Sequence, residues 1–172
     1  ELMRTLVKAD YRDYVAARMD AMRRFAFLNC GNWHRAEEAT AQAFVKLYVA
    51  WPRARRHNLD AYTRRIIVNT LIDESRRPWF RRERAHDTVP ETAASDTDPA
   101  ERLTILAALA RLPARCRATV ILRFWEDLSV ADTAAILRCS PNTVKTQTAR
   151  GLRTLRGLLA ESIVESPERA NS

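Results

Sequence analysis

Residues 139–150 read CSPNTVKTQTAR. Ser140 is a good helix N-cap, and Pro141 suits the first helical position. Asn142, Thr143, Lys145, Thr146, Gln147, Arg150 and Arg153 then supply hydroxyls, amides and cations, with no carboxylate before Glu161. On a helical wheel Val144, Thr148, Leu155 and Leu159 share a face that can pack on other helices, Lys145 sits at its margin, and the rest of the polar set points elsewhere. Such side chains hydrogen-bond base edges and phosphates, where a carboxylate would be repelled.

A second set begins with Arg53, Arg55 and Arg56. Arg64, Arg65, Arg76, Arg77, Arg81, Arg82 and Arg84 follow, interleaved with Tyr62, Trp79 and Phe80. In a helix Arg65, Asn69, Asp73 and Arg76 form one stripe, with Asp73 placed to orient Arg65, Arg76 or Arg77. A basic surface with aromatics suits unstacked single-stranded bases. A third cluster, His34 with Glu37 and Glu38, faintly suggests a carboxylate metal site. Acids near the positive end of a helix explain it better. No catalytic constellation stands out, so the reading is not an enzyme, with no metal and no cofactor.

The composition agrees with an anionic partner. The chain has 172 residues, a formal net charge of +8 and 47% apolar residues. Nucleic acid and a membrane surface are the partners such a charge favours. No signal peptide is evident, and no apolar run is long enough to span a bilayer. Cys30, Cys116 and Cys139 lie far apart, without metal spacing, which suggests buried free thiols in a reducing cytosol. The chain opens at Glu1, and further residues are expected upstream.

The elements that would position these groups are helices. With 3 glycines and no alternating strand pattern, the chain reads as all-α. Val7, Tyr11, Tyr14, Val15, Met22, Phe25 and Ala26 lie on one face of a first helix. A second runs from His34 to Trp51, with Ala36, Ala39, Ala43, Leu47 and Trp51 inside, and Pro52 is expected to end it. A basic loop, 53–58, and a third helix, 60–77, follow. Residues 86–99 (HDTVPETAASDTDP) are polar, acidic and broken by prolines, as linkers are. The second block starts with Leu103, Leu106, Ala107, Leu109 and Ala110. After Leu112-Pro113 comes a helix containing Val120, Ile121, Phe124 and Trp125. Ser129 and Asp132 form a capping box opening a short helix, Val130 to Leu137. A short helix, a tight break and a capped polar helix make a helix-turn-helix.

A duplex reader and a single-strand reader in one small chain suit promoter opening. The segment ALARLPARCRATVILRFWEDLSVADTAAILRCSPNTVKTQTARGLRTLRGLL, with HRAEEATAQAFVKLYVAW and AYTRRIIVNTLIDESRR, resembles RNA polymerase sigma factors of the extracytoplasmic-function type. The resemblance implies two small helical domains joined by a flexible linker. Residues 1–84 would be region 2-like, 85–99 the acidic linker, 100–163 the region 4-like helix-turn-helix domain and 164–172 a tail.

By the same resemblance, Glu37, Glu38, Gln42 and Lys46 would bind the β′ clamp helices of core RNA polymerase. Arg53, Arg55, Arg56, Tyr62, Arg65, Asn69 and Arg76 would recognise and hold the melted −10 promoter element. Asn142, Thr143, Lys145, Thr146, Gln147, Arg150 and Arg153 would read the −35 duplex, with the domain seated on the β flap. The linker would run through the RNA-exit path. The partners implied are core polymerase, promoter DNA and, in addition, an anti-sigma factor, with no membrane insertion. Ala41-Gln42, Arg138 and Gln147 stand where the family usually has Gln-Glu, Gly and Arg. The free chain is expected to sample several interdomain orientations. The competing reading is a dimeric helix-turn-helix regulator that is not a polymerase subunit, which leaves the N-terminal basic block without a purpose.

Overall fold

The computed structural model of the chain describes residues 2–77 and 98–164. These residues form helices α1 (Leu2–Cys30), α2 (Trp33–Ala54), α3 (Leu59–Ser75), α4 (Pro99–Ala110), α5 (Ala114–Val120), α6 (Val130–Leu137) and α7 (Pro141–Val164), with a π-helical turn at Ile121–Trp125 after α5. Among the described residues there is no strand, and no helix is long and apolar enough to cross a membrane. Trp79, Phe80, Arg81, Arg82, Arg84 and most of the expected linker lie outside the described residues.

Local chemistry sets the ends of these helices. Gly31, at φ +68°, closes α1 by donating its N–H to the Phe27 carbonyl at 2.7 Å. Glycine takes this left-handed conformation without a Cβ clash. The Asn32 side chain then accepts the Arg35 N–H at 2.9 Å and opens α2, as Asn58 opens α3 by accepting from Ala61 at 3.0 Å. Both satisfy a backbone donor that a helix start leaves unpaired. Asp98 caps α4 with Pro99 in its first turn, so those two residues begin a helix instead of ending a linker.

Pro52 does not end α2, which continues to Ala54. A proline removes one hydrogen bond and crowds the preceding turn. Here Pro52 is exposed in the last turn, where water can satisfy the disturbed carbonyl, while Trp51 and Ala54 on either side stay buried. Arg53 therefore sits on the helix, and the loop shortens to residues 55–58.

Helices α1, α2 and α3 enclose Met22, Phe25, Ala39, Leu47 and Ile67, all at most 1% exposed. The expected inner stripe of α2 is buried throughout. Leu109, Leu112, Ile121, Leu122 and Ile136 form the interior of the second domain. Each large side chain taken out of water contributes about 1.5–3 kcal/mol. On α4, Leu103 is half-exposed while Leu109 is buried.

The two domains are packed together. Helix α3 lies against α5 and α6, and α1 against α4 and α5, so one apolar cluster runs through both. This differs from the expectation of several interdomain orientations. The hydrophobic pattern of each helix predicts its own inner face but not the arginine contacts, described below, that join the domains.

Candidate nucleic-acid interface

Helices α6 and α7 meet at a tight turn. Ser129 Oγ accepts the Asp132 N–H at 3.0 Å and donates to Asp132 Oδ2 at 2.8 Å, so the acid of the expected capping box returns to the hydroxyl. Arg138 ends α6 at φ +52°, ψ +51°, in the left-handed region. Ser140 Oγ then accepts the Thr143 N–H at 3.1 Å and fixes the first turn of α7. Val144 is fully buried opposite this cap, and Gly151 one face-repeat later packs against α5.

That seating leaves the other side of α7 in solvent. Asn142, Thr143, Lys145, Thr146, Arg150 and Arg153 are exposed, and Gln147 is half-buried. The Thr143 hydroxyl is 2.9 Å from Ser140 Oγ, so it also serves the cap. The set reaches solvent together on one rigid helix. It can donate to acceptors on base edges and to phosphates.

The N-terminal set is divided. Arg53, Arg55 and Arg56 are exposed around the α2–α3 turn, Asn69 is exposed on α3, and Arg76 is exposed at its C-cap. Tyr62 and Arg65 are half-buried, because α6 stands beside them. Arg65 Nη2 donates to the Ala135 carbonyl at 3.2 Å. Arg64 is 9% exposed and pairs with Glu126 of the second domain, so it is not part of an open basic surface. Asp73 is exposed and forms no ion pair among the described residues, contrary to its expected role of orienting Arg65, Arg76 or Arg77. Arg65 turns toward α6 instead.

A polar network anchors the start of α3. Arg18 of α1 donates Nε to Asp60 Oδ1 at 3.0 Å and Nη2 to Oδ2, while Tyr14 OH donates to Oδ1 at 2.8 Å. Burial, with the Asp60 carboxylate beside it, raises the Tyr14 pKa, so the phenol remains a proton donor. Tyr14 also packs on Phe44 of α2 and on Trp51 in its last turn. The arginine-bearing turn is thus held from both sides. Nothing in the spacing of Tyr14, Arg18 and Asp60 along the chain announces this network.

Helix α2 carries a third surface. Glu37, Glu38, Gln42 and Lys46 are all exposed, and Glu37 pairs with Arg23 of α1. Beside them Val45 and Val49 are 65% and 76% exposed, with Tyr48 at 47%. The sequence reading missed these apolar residues, although their place opposite the Ala39–Leu47 stripe was available from the helical wheel. Phe124 and Trp125 are also exposed, on the π-helical turn. There Glu126 N–H reaches back five residues to the Ile121 carbonyl at 3.0 Å, which rotates both rings off the face that buries Ile121 and Leu122.

The thiols are free, but only Cys116 is buried, while Cys30 and Cys139 are intermediate. Desolvation raises the pKa of Cys30 and Cys116, so both are poorly nucleophilic. His34, Glu37 and Glu38 are exposed at the start of α2, and among the described residues no His, Cys, Asp and Glu cluster could hold a metal.

A basic helix-turn-helix and an arginine-lined helical bundle in one chain are matched by known proteins. Residues 11–81 match the family Sigma-70 region 2, and residues 102–155 match Sigma-70, region 4. The RNA polymerase sigma-E factor of Streptomyces avermitilis is 31% identical over 154 residues, covering 86% of this chain and 83% of its own. The chain belongs to the extracytoplasmic-function RNA polymerase sigma factors. This sigma factor is also 29% identical to the ECF RNA polymerase sigma factor SigE of Mycolicibacterium smegmatis, over 92% of this chain and 65% of that one. Its fold resembles the sigma factor RpoE of Bartonella quintana, solved in complex with the anti-sigma factor NepR. The TM-score is 0.70 at 22% identity, covering 88% of this chain and 97% of that chain. Its role is transcription initiation.

Proposed function

We infer that this sigma factor binds core RNA polymerase, reads the −35 duplex with α7 and holds the melted −10 strand with the α2–α3 turn and α3. The observation that carries the reading is the exposed, acid-free face of α7, presented from a helix-turn-helix whose other side is sealed by Val144 and Gly151. Asn142, Lys145, Thr146 and Arg150 have the donors for base edges and phosphates there.

Arg53, Arg55, Arg56, Tyr62, Arg65, Asn69 and Arg76 form the −10 surface. Unstacked bases are held by aromatic and guanidinium faces, and their phosphates by the remaining cations. The apolar strip Val45, Tyr48 and Val49, flanked by Glu38, Gln42 and Lys46, suits a helical partner, and the β′ clamp helices are that partner. Phe124 and Trp125 give the second domain a matching apolar contact for the β flap. The protein works as a polymerase subunit in the cytoplasm and has no catalytic step of its own. An anti-sigma factor fits as its regulator, by analogy with the Bartonella protein. The domain limits 1–84 and 100–163, with a linker between, belong to the same reading.

Transcription with core polymerase over a genomic promoter library tests this directly. The sigma factor is expected to direct start sites that share −35 and −10 elements. In permanganate footprints Asn69→Ala, or the triple replacement of Arg53, Arg55 and Arg56 by Ala, should impair melting more than core binding. Equal loss of both would show that the segment is a polymerase contact or part of the scaffold.

A further inference from the structure

Arg138 stands in the turn of the helix-turn-helix, at φ +52° and ψ +51°. The turn is closed by backbone groups: the Cys139 N–H donates to the Ala134 carbonyl at 3.1 Å. Its neighbours hold it from both sides. Arg115 Nη2 donates to the Leu137 carbonyl at 3.2 Å, and Ser140 Oγ accepts the Thr143 N–H at 3.1 Å. None of these bonds uses the Arg138 side chain. A glycine would make the same turn without the Cβ clash that a left-handed residue carries.

The side chain has no task inside the fold. It is exposed, and among the described residues it forms no ion pair and no hydrogen bond. No carboxylate lies between Asp132 and Glu161 in the sequence, and Asp132 is turned back onto Ser129. Between Val130 and Ser140 Arg138 is the only cation. Two residues beyond it Ser140 opens α7, whose first turns expose Asn142, Thr143, Lys145 and Thr146. An unpaired guanidinium is thus anchored on a fixed turn at the same end of α7 as those donors.

Left-handed non-glycine residues are unfavourable and gather at functional positions. Guanidinium is planar and always charged, and it matches two oxygens of one phosphate. Phosphate contacts fix the register of a reader on the duplex without carrying sequence information themselves.

We propose that Arg138 is a DNA-phosphate clamp, which grips the sugar–phosphate backbone beside the −35 element and sets the register at which α7 enters the groove. The inference rests on the reading of α7 as the −35 helix and adds to it a residue outside that helix. It gives replacement by glycine two opposite effects, a firmer fold and a weaker grip on DNA.

The test uses the sigma factor with core polymerase on duplex fragments carrying the −35 element of a transcribed promoter. Arg138→Gly and Arg138→Ala should each lower the slope of log affinity against log salt by about one unit. The advantage of wild type over either variant should accordingly shrink about 3.5-fold between about 50 mM and 200 mM salt. Both variants should rank −35 sequences as wild type does. Arg138→Lys keeps the charge and should keep the slope, with weaker binding because an ammonium lacks the planar fork. Arg12→Ala removes the same charge from an exposed position on α1 and should leave the slope near wild type. Arg138→Ala keeps a Cβ in the left-handed turn, so it separates loss of the charge from the freedom that glycine adds. Unfolding curves of each variant separate weak binding from a damaged fold.

A wild-type slope in Arg138→Ala, with Lys145→Ala still lowering it, overturns the clamp and leaves α7 as the reader. An equal fall in Arg12→Ala overturns it too, as does a changed ranking of −35 sequences. A loss in Arg138→Gly that Arg138→Ala does not share would assign the effect to the backbone of the turn, against the proposal. If Lys145→Ala and Arg150→Ala are as silent as Arg138→Ala, the reading of α7 has failed, and the clamp falls with it.

Discussion

A Cβ placed on Gly151 would stand 2.5 Å from Val120 Cγ2 and 3.0 Å from Cys116 Sγ. Helix α7 thus lies against α5 at a distance that only glycine permits, and this contact turns the polar face of α7 outward. Val120 is β-branched, buried and has little rotamer freedom with which to yield. Gly151→Ala should destabilise the protein by about 1–3 kcal/mol, the usual cost of overpacking. Thermal and denaturant unfolding would measure it, and Val120→Ala added to Gly151→Ala should recover part of the loss. A Gly151→Ala protein as stable as wild type would mean that the two helices are not so close.

Arg138 is left-handed at the turn before α7, where the family usually has glycine. Replacing it with Gly removes a clash between Cβ and the backbone worth roughly 1 kcal/mol. Arg138→Gly should therefore raise the unfolding free energy, offset in part by the freer unfolded chain. Asp127 shares the positive φ, but a short polar side chain tolerates it better, so Asp127→Gly should gain less. Unfolding curves of the two variants, compared at one pH and salt, decide it. A loss of stability in Arg138→Gly would contradict the strain.

The apolar strip on α2 should matter for polymerase more than for folding. Val49 is 76% exposed, so Val49→Glu changes little in the free protein and should shift its unfolding by less than about 0.5 kcal/mol. In the complex the same carboxylate would be buried without a partner, which costs several kcal/mol. Affinity for core polymerase, measured by competition with a labelled sigma factor, should fall at least tenfold. Unchanged affinity would remove α2 from the contact.

On the −35 side, Arg150 and Lys145 should behave differently. Arg150→Ala should cost about 1–3 kcal/mol and relax preference at one base position if the guanidinium pairs with a guanine. Lys145→Ala should weaken all sequences alike and lower the salt slope by about one unit if the ammonium meets a phosphate. Ser140→Ala serves as the control: it should cost about 1 kcal/mol of stability without changing preference. Transcription from a matched set of −35 variants measures all three. If Arg150→Ala changes neither the strength nor the ranking of those promoters, α7 does not read the duplex through that residue.

Helical periodicity determined the inner stripe from Ala36 to Trp51, the face carrying Tyr11, Met22 and Phe25, and the break before Ser140. These are local: a stripe of apolar side chains every three or four residues has one way to bury itself, and a hydroxyl before Pro141 has one backbone donor to meet. The outward direction of Asn142, Lys145 and Arg150 follows from Val144 by the same wheel. Pro52 stays inside α2 because a proline's effect depends on whether its turn is hydrated, and exposure is a tertiary property.

Only the tertiary structure decided what the charges do. Arg64 and Arg65 are identical neighbours in the sequence, yet one pairs with Glu126 and the other donates to Ala135, 62 and 70 residues away. Arg18 and Asp60, 42 residues apart, hold the turn between α2 and α3 in the same way. A long cation can satisfy its donors on water, a carboxylate or a carbonyl at similar free energy. Its partner is therefore chosen by which backbone the packed helices bring within reach, and that choice is not written in the spacing of the residues themselves.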